Sequence, residues 1–308
     1  MTTDDREGRT PRVVAIIGPT ASGKSAAARH LAGRLDAEIV AVDAFTIYRG
    51  MDIGTATPTR AERSAVRHHL VNELEPEQDC SAQWFQVRAR QAIAEVHGRG
   101  RAALLVGGSG LYFRAVVDPL EFPPTDATVR HDLSVRYRDA AAAYEALRAA
   151  DPEAAARMDP GNHRRAVRAL EVQALTGRPF SDWRRCWERY ESVYRNLEVI
   201  GLEVPRTLLW ERIAARVDEM LAAGFVDEAA ALRGRRLSRT AAAAIGYAEL
   251  EAFLDEKTTL DEARERTIVR TRRYAARQQR WFARDPRVRW VPADAAVELA
   301  VAVGAETP

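Results

Sequence analysis

Lysine is almost missing from this chain of 308 residues: Lys24 and Lys257 are the only two, and arginine carries the rest of the positive charge. The bias reads as genomic base content, yet it singles out Lys24, because a chain built on arginine has kept a compact ammonium there. Cysteine is equally scarce. Cys80 and Cys186 are far apart and lack C-x-x-C or Cys/His spacing, which excludes a disulfide framework and a zinc site. No apolar run approaches the ~20 residues of a membrane-spanning helix. The opening MTTDDREGRT is polar and acidic at its start, unlike a signal peptide with a basic start and an apolar stretch. The expectation is a soluble, cytoplasmic protein with no membrane partner.

A strong net charge is lacking too: +2 at neutral pH does not by itself argue for nucleic acid. That average conceals a polarised stretch, since residues 264–289 hold ten arginines against two acids, Glu265 and Asp285. With 46% hydrophobic and 29% charged residues the composition is that of a globular protein, and the length suits one large core with an insertion, or two domains.

Along the chain, the β-branched run Val13–Ile17 enters a glycine-rich turn, and SAAARHLAGRL after it has helical spacing. AEIVAVD is a second apolar run, ending in a carboxylate, and RAALLVGGSGLY a third, ending in glycines. Between them, SAQWFQVRARQAIAEVHGRG is helical, with Trp84, Val87, Ala94 and Val96 expected on its apolar face. Strands alternating with helices imply a parallel sheet. EFPPTD then breaks the pattern, and alanine- and arginine-rich helical sequence follows, punctuated by Asp151-Pro152, Asp159-Pro160-Gly161 and Gly177-Arg178-Pro179. NLEVIGLEV is strand-like, and helices resume over 206–282. The expected fold class is α/β: a P-loop NTPase-like parallel sheet flanked by helices (11–120 and 197–290) with an inserted all-helical domain (121–196) and tails at 1–10 and 291–308.

Gly18, Pro19, Thr20, Ala21, Ser22, Gly23, Lys24 and Ser25 satisfy G-x-x-x-x-G-K-[ST] between a strand and a helix, the context that the motif requires. Glycines let backbone N–H groups turn inward on an anion, the helix N-terminus adds its dipole, and Lys24 adds a point charge. Ser25 is placed to ligate Mg2+ beside the phosphates. Such a loop names a di- or triphosphate, not a reaction. Asp43 ends the second strand, where an aspartate can bind Mg2+, accept a proton, or cap the following turn.

VDAFTIYRGMDIGTATPT resembles the segment after the second strand of the tRNA dimethylallyltransferases, also called the IPP transferase family. His68-His69-Leu70 with Glu75-Pro76, Gly107-Gly108-Ser109-Gly110-Leu111-Tyr112, Arg168-Ala169-Leu170-Glu171-Val172, Ala244-Ile245-Gly246-Tyr247 and Thr271-Arg272-Arg273-Tyr274-Ala275 resemble further family blocks, in the family's order. The resemblance implies transfer of a dimethylallyl group from dimethylallyl diphosphate to N6 of the adenosine 3′ of the anticodon, in tRNAs reading codons that begin with U. It makes Asp43 the general base and gives Ser109 a catalytic hydroxyl where the family usually has threonine. It sets Arg272 near the diphosphate, and Asp43, Ala44, Phe45, Thr46, Arg130, Arg164, Arg165, Arg168, Arg273 and Arg277 against tRNA. Mg2+ is the expected cofactor, and the enzyme is expected to act as a monomer.

Arg266, Arg270, Arg273, Arg277 and Arg280 also share one helix stripe by spacing alone, suited to phosphates, with Glu265 the acid nearby. Trp281 and Phe282 are expected in the core. Adjacent His68 and His69 do not read as a metal site, since neighbours in extended chain point to opposite sides. Ala44, Phe45 and Thr46 stand where the family has serine or alanine, often methionine, and often glutamine, and Ala243 where a polar residue is expected. Base selection is the property that the departures at Ala44, Phe45 and Thr46 touch. Two alternatives stay open at this level: an adenine-nucleotide prenyltransferase, and a P-loop kinase or non-catalytic RNA-binding relative.

Overall fold

The structure, a computed structural model, describes residues 12–293, without side chains at 184–186. Residues 1–10, most of the expected 291–308 tail and the Cys186 side chain lie outside the described residues. β1 (Val13–Ile17) leads into α1 (Lys24–Leu35), then β2 (Ala37–Ala41), short α2 (Asp52–Thr55) and α3 (Arg60–Ala65), and β3 (His68–His69). α4 (Ala82–Gly98), β4 (Ala102–Gly107) and α5 (Gly110–Val117) complete the first part. The central run is α6 (Ala127–Arg136), α7 (Ala140–Ala150), α8 (Pro152–Ala156), α9 (His163–Thr176) and α10 (Phe180–Arg184). β5 (Leu197–Glu203), α11 (Arg206–Ala222), α12 (Phe225–Ala231), α13 (Tyr247–Leu254), α14 (Leu260–Phe282) and β6 (Val288–Pro292) follow.

The fold is α/β, as the alternation implies: a six-stranded parallel sheet in the order β3-β2-β4-β1-β5-β6, flanked by helices. All five residues of β1 are buried, because a parallel strand is covered on both faces. Alternation then divides them. Val13, Ala15 and Ile17 join Phe85, Phe113 and Phe282 on one side, while Val14 and Ile16 join Leu31, Leu104 and Ile200 on the other. β6 is a strand that the sequence reading missed; Val291, expected in a tail, is 3% exposed there. On α4 the buried face is Phe85, Ala89, Ile93 and Val96, and Val87 is 60% exposed. Taking Val87 and Ala94 as core put the face almost half a turn out, because the small Ala89 was not counted with the large apolar residues.

The strands end together. Ile17 is opposite Gly107 on β4 and Gly201 on β5, so the turns leaving β1, β2 and β4 emerge side by side at the carboxyl edge of the sheet. A Cβ at Gly107 would lie 1.8 Å from the Val42 carbonyl oxygen, so only glycine allows β4 to approach the chain that carries Asp43.

At the other end of β2, Glu38 is 1% exposed yet charged. Arg99 grips it from Nε to Oε1 (2.8 Å) and Nη2 to Oε2 (2.7 Å), and His69 Nε2 donates to Oε2 at 2.7 Å. Burial would raise its pKa, but the hydrogen bonds from Arg99 and His69 outweigh burial and hold it at about 2.

The chain divides into two compact units, Asp118–Glu191 and the remainder. The smaller unit packs α7, α8 and α9 about Ala143, Leu147, Ala155 and Val167. Asp151 caps α8 through Ala154 N (3.0 Å) and also accepts from Ser181 N (2.8 Å), tying α8 to α10. Glu171, fully buried on α9, accepts from Arg130 Nε (2.8 Å) and from the Asp126 backbone N–H (2.7 Å), and pairs with Arg168 at 2.8 Å.

Glu38→Gln is expected to cost about 2 kcal/mol at neutral pH, below the ~3–5 kcal/mol of a fully buried pair because Arg99 is a third exposed. Because the folded pKa lies below the usual 4.5, the stabilisation is complete above 4.5 and is lost as pH falls toward 2. Urea unfolding of the two proteins should therefore diverge at neutral pH and converge across that window; a constant gap would contradict the assignment.

Candidate active site

The phosphate loop is shaped by a few constrained positions. Gly18 (φ +147°) passes so close to β5 that a Cβ would meet the Leu202 carbonyl oxygen at 3.2 Å, and Gly23 (φ +92°) turns the chain into α1. Lys24 opens that helix and folds back so that Nζ donates to the Pro19 carbonyl. Burial lowers its pKa to about 7, with the nearby Arg216 guanidinium adding to the shift and Asp43 opposing it. Ser22 is fully buried and its Oγ has no hydrogen-bond partner among the described residues.

Thr20, Lys24 and Ser25 line one end of a cleft that is open to solvent. Its walls are apolar, with Ile39, Val106, Ile213 and Val217 among them. Asp43, Thr46, Tyr274 and Gln278 also face it. Asp43 Oδ1 accepts from Phe45 N at 2.9 Å, so the capping role weighed for it is real. Its second oxygen has no hydrogen bond among the described residues, so the cap orients the carboxylate without consuming it. Thr46 is 8% exposed and its hydroxyl is unpartnered among the described residues. An unsatisfied buried hydroxyl costs about 1–3 kcal/mol, which a ligand or water bond would remove. Burial, aided by the Asp43 charge, pushes the Tyr274 phenol well above its usual pKa and keeps it a neutral donor.

α14 contributes Thr267, Thr271, Tyr274 and Gln278, an i, i+4, i+7, i+11 stripe. Gln278 is 5% exposed, and its amide spans the site: Oε1 accepts from Thr20 N (2.8 Å) and Nε2 donates to Gly108 O (2.9 Å). One buried amide therefore sets the phosphate loop against the β4–α5 turn. Another carboxylate braces the far rim. Glu228 accepts from Asp52 N and Ile53 N (both 2.7 Å), from Gly54 N (2.9 Å) and from Tyr247 Oη (2.8 Å), holding the start of α2. A Cβ at Gly54 would lie 2.3 Å from the Phe225 ring.

Several expected positions come together here: Gly18, Pro19, Ala21, Ser22 and Gly23 in the loop, and Thr20, Lys24, Ser25, Asp43, Phe45 and Thr46 on the lining. Others do not. Arg272 does not line the cleft; being one residue past Thr271 it points about 100° away, over the Trp210 ring at 5.2 Å, with Nη2 donating to Trp210 O at 3.4 Å. Ser109 sits one residue beyond the lining Gly108, and Ala44 packs against the core. Arg130 and Arg168 are engaged by Glu171, while Arg164 and Arg165 are exposed on α9.

The arginine stripe is also thinner than its spacing suggests. Arg270 pairs with Glu249, an acid from α13 that the local sequence does not reveal, and Arg273, Arg277 and Arg280 remain exposed. Arg216 was missed. It faces the cleft from α11 and donates from Nη1 to Thr20 Oγ1 at 3.4 Å. Burial lowers its pKa while Asp43 opposes that shift. The available signal was a lone charge on the buried Leu209-Ile213-Val217 face. His68 and His69 serve separate partners, the Val66 carbonyl and Glu38.

A family model described as IPP transferase matches residues 46–285. The chain belongs to the IPP transferase family. A tRNA dimethylallyltransferase from Kocuria rhizophila is 49% identical over 94% of this chain and 91% of its own length. One from a Nocardioides species is 49% identical over 97% of both. Among solved structures, the tRNA isopentenylpyrophosphate transferase of Bacillus halodurans is 38% identical with a TM-score of 0.70, covering 96% of each chain. These relatives are thus similar along nearly the whole chain, and the solved one shares the fold.

Arg216→Ala is expected to weaken binding of inorganic diphosphate by roughly tenfold or more in calorimetry, the size of a lost charge-assisted hydrogen bond, and Arg272→Ala by less than about threefold. The reverse order would make Arg272 the diphosphate ligand. Because a bound anion raises the Lys24 pKa from about 7, binding takes up a proton above that value, and diphosphate affinity should fall as pH rises beyond 7. Calorimetry in buffers of differing ionisation enthalpy reads that proton directly, after correction for the ligand's own titration.

Proposed function

We propose that this chain transfers the dimethylallyl group of dimethylallyl diphosphate to N6 of the adenosine 3′-adjacent to the anticodon, in tRNAs reading codons that begin with U. The carrying observation is the order of groups in one cleft: a cationic phosphate loop, apolar walls, and a carboxylate with one oxygen uncommitted. This order matches the parts of the reaction. Loop N–H groups, Lys24 and Arg216 take the diphosphate, the apolar wall takes the prenyl chain, and Asp43 takes the acceptor amine. The bond between the allylic C1 and the diphosphate oxygen breaks as the bond from N6 to C1 forms. The N6 proton passes to Asp43, and diphosphate leaves.

Ser25 offers a hard oxygen ligand that suits Mg2+, which is held by one or two protein groups together with substrate phosphates. When bound there, Mg2+ would offset the charge that develops on the leaving diphosphate. Tyr274, neutral and beside Asp43, is placed to donate to the departing oxygen or to the base. Thr46, Phe45 and Ala44 border the acceptor, and the Ser109 hydroxyl flanks it. Arg164, Arg165, Arg273 and Arg277 take RNA phosphates, joined by Arg130 and Arg168, which Glu171 also holds in place. No helix among the described residues is long and apolar enough to cross a membrane. We read the enzyme as a cytoplasmic monomer.

Asp43→Asn separates the two roles of that residue, since an amide oxygen still accepts from Phe45 N but cannot take a proton. It is expected to lower kcat by about 10²–10⁴ while tRNA affinity stays near wild type. The assay combines protein, Mg2+, dimethylallyl diphosphate and unmodified tRNA, with prenylated adenosine as product. Wild-type turnover by the variant would remove Asp43 as base. Activity on AMP but not on tRNA would make the acceptor a nucleotide, and no product from wild type with any acceptor would overturn the reading.

A further inference from the structure

Trp281, expected in the core, is 42% exposed. Its place follows from the stripe that lines the cleft: Thr267, Thr271, Tyr274 and Gln278 are continued at i+14 by Trp281. The indole lies on Gly110, where α5 begins after the β4–α5 turn. A Cβ at Gly110 would fall 1.9 Å from its Cδ1 and 2.1 Å from its Nε1, so the edge of the five-membered ring rests directly on glycine backbone. That turn is the one whose Gly107 abuts Val42, immediately before Asp43. The ring thus sits on the residue two places beyond Gly108, which lines the cleft.

The surroundings of the ring are cationic. Arg277, Arg280 and Arg284 lie at i−4, i−1 and i+3 from Trp281, and all three are exposed. No carboxylate pairs with them among the described residues. A large aromatic surface left in water beside unneutralised guanidinium groups fits neither a core position nor a merely solvated helix face. It fits a strand that carries both flat bases and phosphates.

On the reading proposed above, an acceptor base must leave its stack to bring its amine to Asp43, and its neighbour stays outside the cleft having lost a stacking face. We propose that Trp281 is the stacking platform for the nucleobase adjoining the acceptor, with Arg277, Arg280 and Arg284 holding the phosphates on either side. The platform replaces the lost stack and so fixes the strand while the acceptor is turned inward. It is sequence-tolerant, because every base has a π face, and it acts on RNA binding and not on the bond-making step.

The experiment compares wild type, Trp281→Ala and Trp281→Phe for the dissociation constant of an unmodified anticodon stem-loop, and for KM and kcat of transfer to it. Truncation to alanine is expected to weaken binding by about tenfold or more, with the loss in KM and not in kcat, and phenylalanine is expected to recover most of it. Unchanged RNA affinity in the alanine variant overturns the proposal, as does equal loss in both variants, which would mean that the indole only packs on Gly110. Loss of a dimer in the alanine variant with RNA affinity intact also overturns it, making the ring a contact between copies of this chain. RNA binding is read without chemistry, so an inactive wild type would sink the functional reading and leave the platform testable.

Discussion

A single buried amide holds the parts of the site in register. Gln278 receives the Thr20 N–H and donates to the Gly108 carbonyl, bonds of 2.8 and 2.9 Å made by a side chain that is only 5% exposed. Neither partner belongs to its helix. One is in the turn after β1 and the other in the turn after β4, and these strands are neighbours in the sheet. The amide therefore fixes the distance between the phosphate loop and the turn beside Asp43. Gly107 and Gly108 are glycines for the same reason, since side chains there would collide with Val42 and with Gln278 itself.

Charge in the cleft is arranged as a poised imbalance. Lys24 and Arg216 are crowded together and desolvated, and each is depressed by burial. Asp43 is the acid whose charge opposes both shifts. An anion with several charges would relieve this arrangement, which sets the cationic end apart from a closed salt-bridge network. By contrast, Glu38 and Glu171 are buried carboxylates already matched by arginines, each held at about 2, and they serve to tie chain segments together.

Much of the fold was legible. Short β-branched runs alternating with helical spacing announced a parallel sheet, and the glycine-lysine-serine loop announced a phosphate. Errors came where local pattern competes with partners far away in sequence. β6 has only five residues and an intermediate burial pattern, so nothing in its spacing separates it from a loop until β5 pairs with it. Arg270 looked like part of a phosphate stripe because Glu249, its partner, lies 21 residues earlier on another helix. Arg216 lines the cleft and Arg272 lies over Trp210 for a similar reason: on α14 and α11 alike, rotation about the helix axis decides which guanidinium reaches the loop, and that rotation is set by packing.

The sequence by itself determined the chemistry available: a loop whose glycines must turn and whose lysine is one of two in the chain, an aspartate at a strand end, and ordered blocks that place the chain in its family. Those properties follow from single residues and short spacings, which are local. Only the tertiary structure decided which cations face the cleft, that one Asp43 oxygen is anchored and the other is not, and that Trp281 stands in water on Gly110. The anchoring of Asp43 spans only two residues, but the other two depend on segments more than a hundred residues apart being brought to the same edge of the sheet, or on the turn a helix takes when its apolar face is buried. No local pattern encodes that distance.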